Sequence, residues 1–179
     1  MVEYHSAFHL LSDTINKTGV SCVLIGGFAV NYYKFSRQTA DIDFLITEED
    51  FNKIKTFLED AGYTKEFQQK VFVRLKSNKR YLMDVDFMFV DKETLGKIIQ
   101  DAKEISIAKH KFVVPSLMNL IALKLHSLKY NFSIRKGRDL PDIISLIKLN
   151  EVDVKTKEFH RLCLKYANEE IYRKILENL

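Results

Sequence analysis

The sequence LIGGFAVNYYKFSRQTADIDFLI, residues 24–46, carries the features that decide the fold and the chemistry of this chain. An apolar strand leads into Gly26 and Gly27, a short helix follows, and a polar segment then leads to a second strand. That strand opens with Asp41 and Asp43, whose side chains share one face because residues two apart in a strand point the same way. Two adjacent carboxylates are unfavourable unless a cation neutralises them, and ligation by oxygen alone suits Mg²⁺ or Mn²⁺.

The glycine pair predicts a binding site for an anion. Gly26 and Gly27 expose backbone N–H groups at the start of the short helix predicted for residues 28–35, and a helix N-terminus favours a phosphate. Asp-x-Asp alone is common and Gly-Gly alone is usually a turn, so neither motif is specific by itself. Their combination in one short segment indicates a phosphate site beside a metal site, which is typical of chemistry on a nucleoside triphosphate.

The same stretch resembles the nucleotidyltransferase superfamily, whose members include DNA polymerase beta. In the form GG…R-x-T-x-D-I-D it is most similar to the bacterial AbiEii/AbiGii-toxin-type nucleotidyltransferases, and the resemblance covers residues 20–148. It implies an α+β nucleotidyltransferase fold, in which a small mixed β-sheet is flanked by helices and followed by C-terminal helices. It also implies a magnesium-dependent enzyme that moves a nucleoside monophosphate from a triphosphate (NTP) onto an acceptor.

The length and composition of the chain are those of a globular protein. Its 179 residues are expected to form a nucleotidyltransferase core over 1–114 and a helical region over 115–179, packed as one compact unit. No apolar run approaches the ~20 residues that span a membrane, and the N-terminal residues lack the layout of a signal peptide. Cys22 and Cys163 lie in apolar segments and are expected to remain thiols in a reducing cytoplasm.

The other elements are predicted from hydrophobic periodicity and from residues that start and stop helices. The period changes to about two over residues 63–90, which indicates an antiparallel hairpin. A basic loop at 135–138 is expected to separate two of the later helices. The predicted strands cover 20–25, 41–47, 81–90 and one or two segments within 104–114, and the predicted helices cover 4–18, 28–35, 48–61, 92–102, 116–131, 139–149, 154–167 and 169–178.

A third acid is expected on a neighbouring strand, because two metal ions roughly 4 Å apart need more than two carboxylates. Asp86 begins the segment DFMFV, which resembles the third-carboxylate strand of the superfamily, and Asp84 on the same face is the alternative. The resemblance implies that Asp41 and Asp43 hold both metals. Asp86 would hold the catalytic metal and help to take the proton from the attacking hydroxyl. Either Asp84 or Asp86 could instead be a solubilising charge on an edge strand.

Further candidates would contact the nucleotide. The resemblance assigns the backbone of Gly26 and Gly27 to the β- and γ-phosphates. Arg37 has a planar fork that suits a phosphate or the acceptor, although it could instead form a salt bridge within its turn, which Thr39 is expected to shape. Lys124 lies on an otherwise apolar helix face, so it either reaches the triphosphate or extends its stem towards water.

Two later acids are candidates for acceptor binding or support. Asp139 resembles the later aspartate motif of the AbiEii-type proteins, and Asp142 follows one turn on. Asp139 could pair with Lys124, orient the acceptor, or simply favour the start of its helix.

Basic residues crowd the hairpin and the later loop, which suits either a nucleic-acid backbone or an ordinary solvated surface. The resemblance implies a toxin–antitoxin or phage-defence system with a cognate antitoxin protein. Its acceptor would be an RNA, such as a tRNA end, or another cellular macromolecule, and the basic hairpin favours RNA. The first alternative is a small-molecule enzyme of the lincosamide or aminoglycoside type. The second is a non-catalytic, antitoxin-like binding module. The basic residues are Lys65, Lys70, Arg74, Lys76, Lys79, Arg80, Arg135, Lys136 and Arg138.

Overall fold

The structure is a computed structural model and describes residues 4–179, apart from the side chain of residue 134. Within these residues, contacts divide the chain into two units. The first contains the chain up to Ala29 together with Gln38–Pro115, and the second contains Val30–Arg37 together with Ser116–Leu179. The elements in chain order are α1 Ala7–Thr18, β1 Cys22–Leu24, α2 Gly26–Tyr32, β2 Asp41–Ile46, α3 Glu48–Asp60, β3 Tyr63–Gln69, β4 Phe72–Ser77, β5 Asp84–Phe89, α4 Lys92–Gln100, β6 Lys103–Ile107, β7 His110–Val114, α5 Leu117–Leu149, α6 Lys157–Tyr166 and α7 Glu169–Glu177.

The first unit is built on a five-stranded sheet with the strand order β1-β2-β5-β4-β3. β2 and β5 run parallel, and the other neighbouring strands of this sheet run antiparallel. β6 and β7 form a separate antiparallel pair, which confirms strands within 104–114. A mixed sheet combined with helices confirms the predicted α+β fold class. The parallel pair places the two strands that carry the candidate acids side by side.

One face of the central strands forms the core of this unit. Ile42 and Phe44 of β2 and Val85 and Phe87 of β5 are at most 1% exposed. The rings of Phe44 and Phe87 stack with their centres 5.9 Å apart, and Phe51 of α3 packs against Phe87 at 5.1 Å. Burial of each such side chain stabilises the fold by ~1.5–3 kcal/mol. Because a slip of one residue would turn these side chains outward, the core determines the register and sends the alternate residues to the opposite face.

The ends of the early helices follow their capping residues. α1 begins after Ser6, whose side-chain oxygen accepts a hydrogen bond from the backbone N–H of His9 at 3.1 Å, so the predicted start at residue 4 is wrong. Its end at Gly19, with φ 67°, is as predicted. Thr47 caps α3 by accepting from the backbone N–H of Asp50 at 3.1 Å, and the helix begins at residue 48, as predicted.

The second unit is organised around α5, which corrects one prediction. Residues 135–138 do not form a loop, because they lie within this helix. The interruption falls earlier, at a kink where Asn131 has the non-helical angles φ −138° and ψ 39°. Gly137 suggested a break, but Ile143 and Leu146 beyond it are fully buried, and packing overrides the weak helix propensity of one glycine.

α6 and α7 pack on α5 within the second unit, as the apolar faces of the two predicted helices indicated. Phe159 of α6 and Ile175 of α7 are almost completely buried. The segment Val30–Arg37 joins this unit through Asn150, whose side-chain amide donates to the backbone carbonyl of Tyr33 at 3.0 Å. None of the helices described within residues 4–179 has the length and apolar character needed to cross a bilayer.

The two cysteines are free thiols, as predicted, and both are buried. Burial raises the pKa of the Cys22 and Cys163 thiols to about 12 in each case. Because the thiolate is the reactive form, neither residue is suited to act as a nucleophile or a metal ligand at neutral pH.

Candidate active site

Three carboxylates meet on one face of the mixed sheet, and we call Asp41, Asp43 and Asp86 the carboxylate triad. Asp41 and Asp43 alternate with the buried residues of β2, and Asp86 lies directly opposite Asp43 in the parallel register. One carboxylate oxygen of each residue lies within 4.8 Å of the others. Asp86 is only 4% exposed, whereas Asp41 and Asp43 are partly exposed. The structure therefore brings together the three acids that the sequence placed first.

Asp84, the alternative third acid, is not part of this group. It lies opposite Asp41 in the register of β2 and β5. One of its carboxylate oxygens accepts a hydrogen bond from the backbone N–H of Ser77 at 3.0 Å. Asp84 therefore holds the turn between β4 and β5.

The glycine pair lies directly beside the triad. A Cβ atom on Gly26 would come within 1.8 Å of the Asp43 carboxylate, and the φ of Gly26 is +63°. A Cβ atom on Gly27 would meet the side chain of Thr39 at 2.6 Å. Only glycine allows both close approaches. α2 begins at Gly26 itself, two residues before the predicted start at residue 28.

Thr39 fixes one acid of the triad. Its hydroxyl donates to a carboxylate oxygen of Asp41 at 3.1 Å and lies 3.2 Å from the Asp41 backbone carbonyl. It thus shapes the turn, as expected, and also orients a candidate metal ligand. Oxygen ligands of this kind suit a hard divalent cation, so the residues present fit the predicted metal, although the structure does not identify which cation.

Arg74 contacts the triad, which the sequence did not predict. Its Nε and Nη2 atoms donate to the two carboxylate oxygens of Asp86 at 2.8 and 2.5 Å, and Nη2 lies 3.7 Å from Asp41. From the sequence, Arg74 is predicted only as one of the basic residues of the hairpin. The antiparallel pairing of β4 with β5 sets Arg74 opposite Asp86. The sequence predicts this hairpin but not the length of its turn, so it does not predict which residues lie opposite each other.

The carboxylate of Asp86 raises the pKa of the Arg74 guanidinium above its usual value, mainly through the hydrogen bond. Arg74 is therefore a permanent positive charge beside the triad.

The remaining candidates form a second group, which we call the Lys124 cluster: Arg37, Lys124, Asp139 and Asp142, all within the second unit. Lys124 is 6% exposed, and its Nζ atom lies 3.1 Å from Asp139 and 2.6 Å from Asp142. Nε of Arg37 lies 3.1 Å from the other carboxylate oxygen of Asp142. Pairing of Asp139 with Lys124 was one of the alternatives and is observed. Arg37 also forms a salt bridge, but with Asp142 of α5 rather than within its own turn.

The Lys124 cluster contains two acids and two cations, and both α5 and the segment around Asn31 position its members. Asp139 and Asp142 are three residues apart on α5, so they face Lys124 together. Asn31 brackets Arg37, because its side-chain amide donates to the Arg37 carbonyl and accepts from the Arg37 backbone N–H, each at 3.0 Å.

The basic hairpin is partly paired within itself. Lys76 forms a salt bridge with Glu66 at 3.1 Å, and Lys65 donates to the side chain of Gln68 at 2.8 Å. Contact between this surface and RNA stays a prediction.

Comparison with known protein structures agrees with the fold. The antibiotic-resistance factor ANT(2'')-Ia matches with a TM-score of 0.65 and 13% identity, over 96% of this chain and 94% of that one. The lincosamide antibiotic adenylyltransferase LnuA, with lincomycin bound, matches with a TM-score of 0.54 and 18% identity, over 78% and 93%. An antigenic nucleotidyltransferase-like protein from Paracoccidioides brasiliensis matches with a TM-score of 0.57 and 17% identity, over 94% and 89%. At these identities the likeness establishes a shared fold.

The family comparison goes further. No curated protein has a significant sequence match to this chain. The family described as uncharacterised nucleotidyltransferase, in contrast, matches residues 4–178. The prediction of a transferase of the EC 2.7.7 type is thereby confirmed at the level of the family. Together with the sheet, the glycine pair and the triad, this match shows that the chain belongs to the uncharacterised nucleotidyltransferase family.

Proposed function

We propose that this protein uses Mg²⁺ or Mn²⁺ to transfer a nucleoside monophosphate from a nucleoside triphosphate to an RNA acceptor. The observation that carries the proposal is the carboxylate triad, whose oxygens lie within 4.8 Å of one another beside Gly26. Carboxylate oxygens gathered this closely are the ligands that a hard divalent cation prefers. Such cations supply charge neutralisation on the phosphates and activation of the attacking hydroxyl.

The residues of the first unit would bind the metals and the phosphates and accept a proton. Asp41 and Asp43 would hold both metals, and the backbone at Gly26 and Gly27 would contact the β- and γ-phosphates. Asp86 would complete the metal site and help to accept the proton of the acceptor hydroxyl. The acceptor oxygen then forms a bond to the α-phosphorus, the bond from that phosphorus to the bridging oxygen breaks, and pyrophosphate leaves.

The second unit would support binding. We propose Arg37 and Lys124 as nucleotide-binding residues, and Asp139 and Asp142 as acceptor or support residues. The mutual ion pairs of these residues favour the supporting role, since each charged group already has a partner. The proposed functional division, a catalytic core over 1–114 and a helical region over 115–179, follows from these assignments.

The acceptor and the biological setting rest on sequence features. The basic residues of the hairpin favour RNA, for example a tRNA end. The motif GG…R-x-T-x-D-I-D resembles that of the AbiEii-type proteins, which supports a toxin–antitoxin or phage-defence role in the cytoplasm with a cognate antitoxin partner. The complete triad argues against a non-catalytic binding module.

A small-molecule acceptor is the second candidate. Its support is the fold shared with LnuA, whose structure holds lincomycin, and with ANT(2'')-Ia, an antibiotic-resistance factor. The two candidates predict the same chemistry at the triad and differ only in the acceptor.

The proposal is tested by label transfer. The protein is incubated with each α-labelled triphosphate and Mg²⁺, in the presence of total RNA in one series and of an aminoglycoside or a lincosamide in another. The variant Asp43→Asn removes a triad charge, and Asp60→Asn changes an exposed acid at the end of α3 as the matched control. We expect label in RNA with the wild type and with Asp60→Asn but not with Asp43→Asn. Label in the drug alone would select the second candidate, and absence of transfer together with absence of triphosphate binding would contradict both.

A further inference from the structure

The position of Arg74 has a consequence for metal binding that the family assignment does not contain. We propose that Arg74 is the resident counter-cation of the carboxylate triad: it holds Asp86 until a divalent cation enters, and then releases it. Arg74 is thus a positioning residue that sets the cation concentration at which the site fills. This inference rests on the proposed metal-binding role of the triad.

The contact between Arg74 and Asp86 satisfies the buried carboxylate completely. Both carboxylate oxygens accept a hydrogen bond from the guanidinium, at 2.8 and 2.5 Å, in a bidentate arrangement. Asp86 is 4% exposed, and a buried carboxylate needs a charged or hydrogen-bonding partner. Without a metal, Arg74 is the partner that the structure provides.

The same contact opposes the binding of a metal. The Nη2 atom of Arg74 lies 3.7 Å from Asp41 as well as 2.5 Å from Asp86, so the guanidinium lies against two of the three candidate ligands. A divalent cation on these oxygens would meet a positive charge a few ångströms away. An arginine does not relieve this repulsion by losing its proton, since it stays charged at all ordinary pH values. Relief therefore requires the side chain to move.

The surroundings of Arg74 allow such a movement. Its side chain is 39% exposed, in contrast to the buried Asp86 that it contacts. Phe72 precedes it by two residues on the same face of β4, and the Arg74 Cζ atom lies 6.0 Å from the centre of the Phe72 ring. The partly exposed Phe72 ring already lies beside the guanidinium, so a cation–π contact with it would remain within reach when Arg74 leaves Asp86.

Lys76 is the matched control for the charge of Arg74. It follows Arg74 by two residues on the same strand and the same face, and it carries the same charge. Its partner is Glu66, at 3.1 Å, rather than a member of the triad. Replacing Lys76 by glutamine therefore changes the net charge equally but leaves Asp86 untouched.

The test is a calorimetric titration of Mn²⁺ into the wild type and into Arg74→Gln, Arg74→Lys and Lys76→Gln. We expect Arg74→Gln to bind Mn²⁺ about tenfold more tightly than the wild type, or more, because the opposing charge is gone. Lys76→Gln should change the dissociation constant by less than about twofold, since an exposed charge at this distance is screened. Arg74→Lys should fall between the wild type and Arg74→Gln, because a point charge lacks the bidentate fork.

Equal or weaker Mn²⁺ binding by Arg74→Gln, with clear binding by the wild type, would overturn this inference and leave the proposed function intact. No Mn²⁺ binding by either protein would contradict both. A second measurement needs no variant: in a ¹⁵N spectrum of the wild type, the Nε–H signal of Arg74 should shift as Mg²⁺ is added. A signal that stays unchanged while the site fills would show that Arg74 does not release Asp86.

Discussion

The carboxylate triad and the Lys124 cluster use the same side-chain chemistry in different surroundings. In the triad, three carboxylates lie together beside Arg74, and Asp41, Asp43 and Arg74 are all partly exposed. In the Lys124 cluster, two carboxylates meet two cations, and Lys124, Asp139 and Asp142 are all buried. A buried group of paired charges is suited to support the fold, whereas an accessible group of acids is suited to bind a cation.

This difference predicts that substitutions in the two groups will affect different properties. Loss of a cation from the Lys124 cluster should lower stability, because a carboxylate is left buried without a partner. Loss of the Asp43 charge from the triad should change stability little and weaken cation binding, because Asp43 lies beside two like charges.

The largest effect is expected for Lys124→Met. Removing this ammonium strands Asp139 in a buried position and leaves Asp142 with Arg37 alone, which should lower the free energy of unfolding by ~3–5 kcal/mol. Denaturant unfolding measures the change. Lys129→Met, at an exposed position on the same helix, serves as control and should change stability by less than ~0.5 kcal/mol. Similar stability of the two variants would mean that the Lys124 cluster does not support the fold.

A smaller loss is expected for Arg37→Ala. Asp142 keeps Lys124 but loses its contact with the Arg37 guanidinium at 3.1 Å. Loss of this ion pair from a buried carboxylate should cost ~1–3 kcal/mol. The same unfolding experiment measures it, and a double-mutant cycle with Lys124→Met should reveal coupling, because both cations act on one carboxylate. Strictly additive effects would contradict a shared cluster.

Gly26→Ala probes the contact between the glycine pair and the triad. The added Cβ would meet the Asp43 carboxylate at 1.8 Å in a backbone with positive φ, so we expect a loss of ~1–3 kcal/mol together with weaker Mn²⁺ binding. Gly96→Ala, in the middle of α4 where a Cβ meets no atom within 4 Å, is the matched control and should be neutral or slightly stabilising. Equal Mn²⁺ affinity in the two variants would separate the glycine pair from the metal site.

The smallest effect on stability is expected for Asp43→Asn. This change keeps the shape of the side chain and removes one of three like charges, so the free energy of unfolding without metal should change by less than ~1 kcal/mol. Mn²⁺ affinity should fall by about 100-fold, since even outer partners of metal ligands are worth 10–100-fold. Calorimetry measures the Mn²⁺ affinity and denaturant unfolding measures the free energy of unfolding, both on the same samples. A large loss of stability with unchanged affinity would reverse the contrast with the Lys124 cluster.

Most of the triad could be predicted from the sequence because it depends on local geometry. The alternation of Asp41 and Asp43 with apolar residues follows from strand periodicity, and DFMFV suggested that Asp86 would be their partner. The parallel register that excludes Asp84 depends on packing of the buried face, where Phe44 meets Phe87. That register involves residues far apart in the chain, so the sequence left the choice open.

The two features that the sequence did not predict, the Arg74 contact and the continuous helix α5, also depend on residues far apart in the chain. The contact of Arg74 with Asp86 depends on the register in which β4 pairs with β5. A hydrophobic pattern predicts the two strands but not the exact residue pairs. Residues 135–138 were predicted as a loop because their polar character and Gly137 are local signals of a break. The buried residues that continue α5 are a tertiary signal, and it prevailed.

The most direct test of the account is triphosphate binding with and without a divalent cation. Calorimetric titration of each of the four NTPs is performed in Mg²⁺ and again in EDTA, with the wild type and with the double variant Asp41→Asn/Asp43→Asn. We expect at least one NTP to bind the wild type in Mg²⁺, and neither the EDTA sample nor the double variant to bind it measurably. Binding that survives EDTA or the double substitution, or no binding under any condition, would contradict the assignment of the carboxylate triad as the metal and triphosphate site.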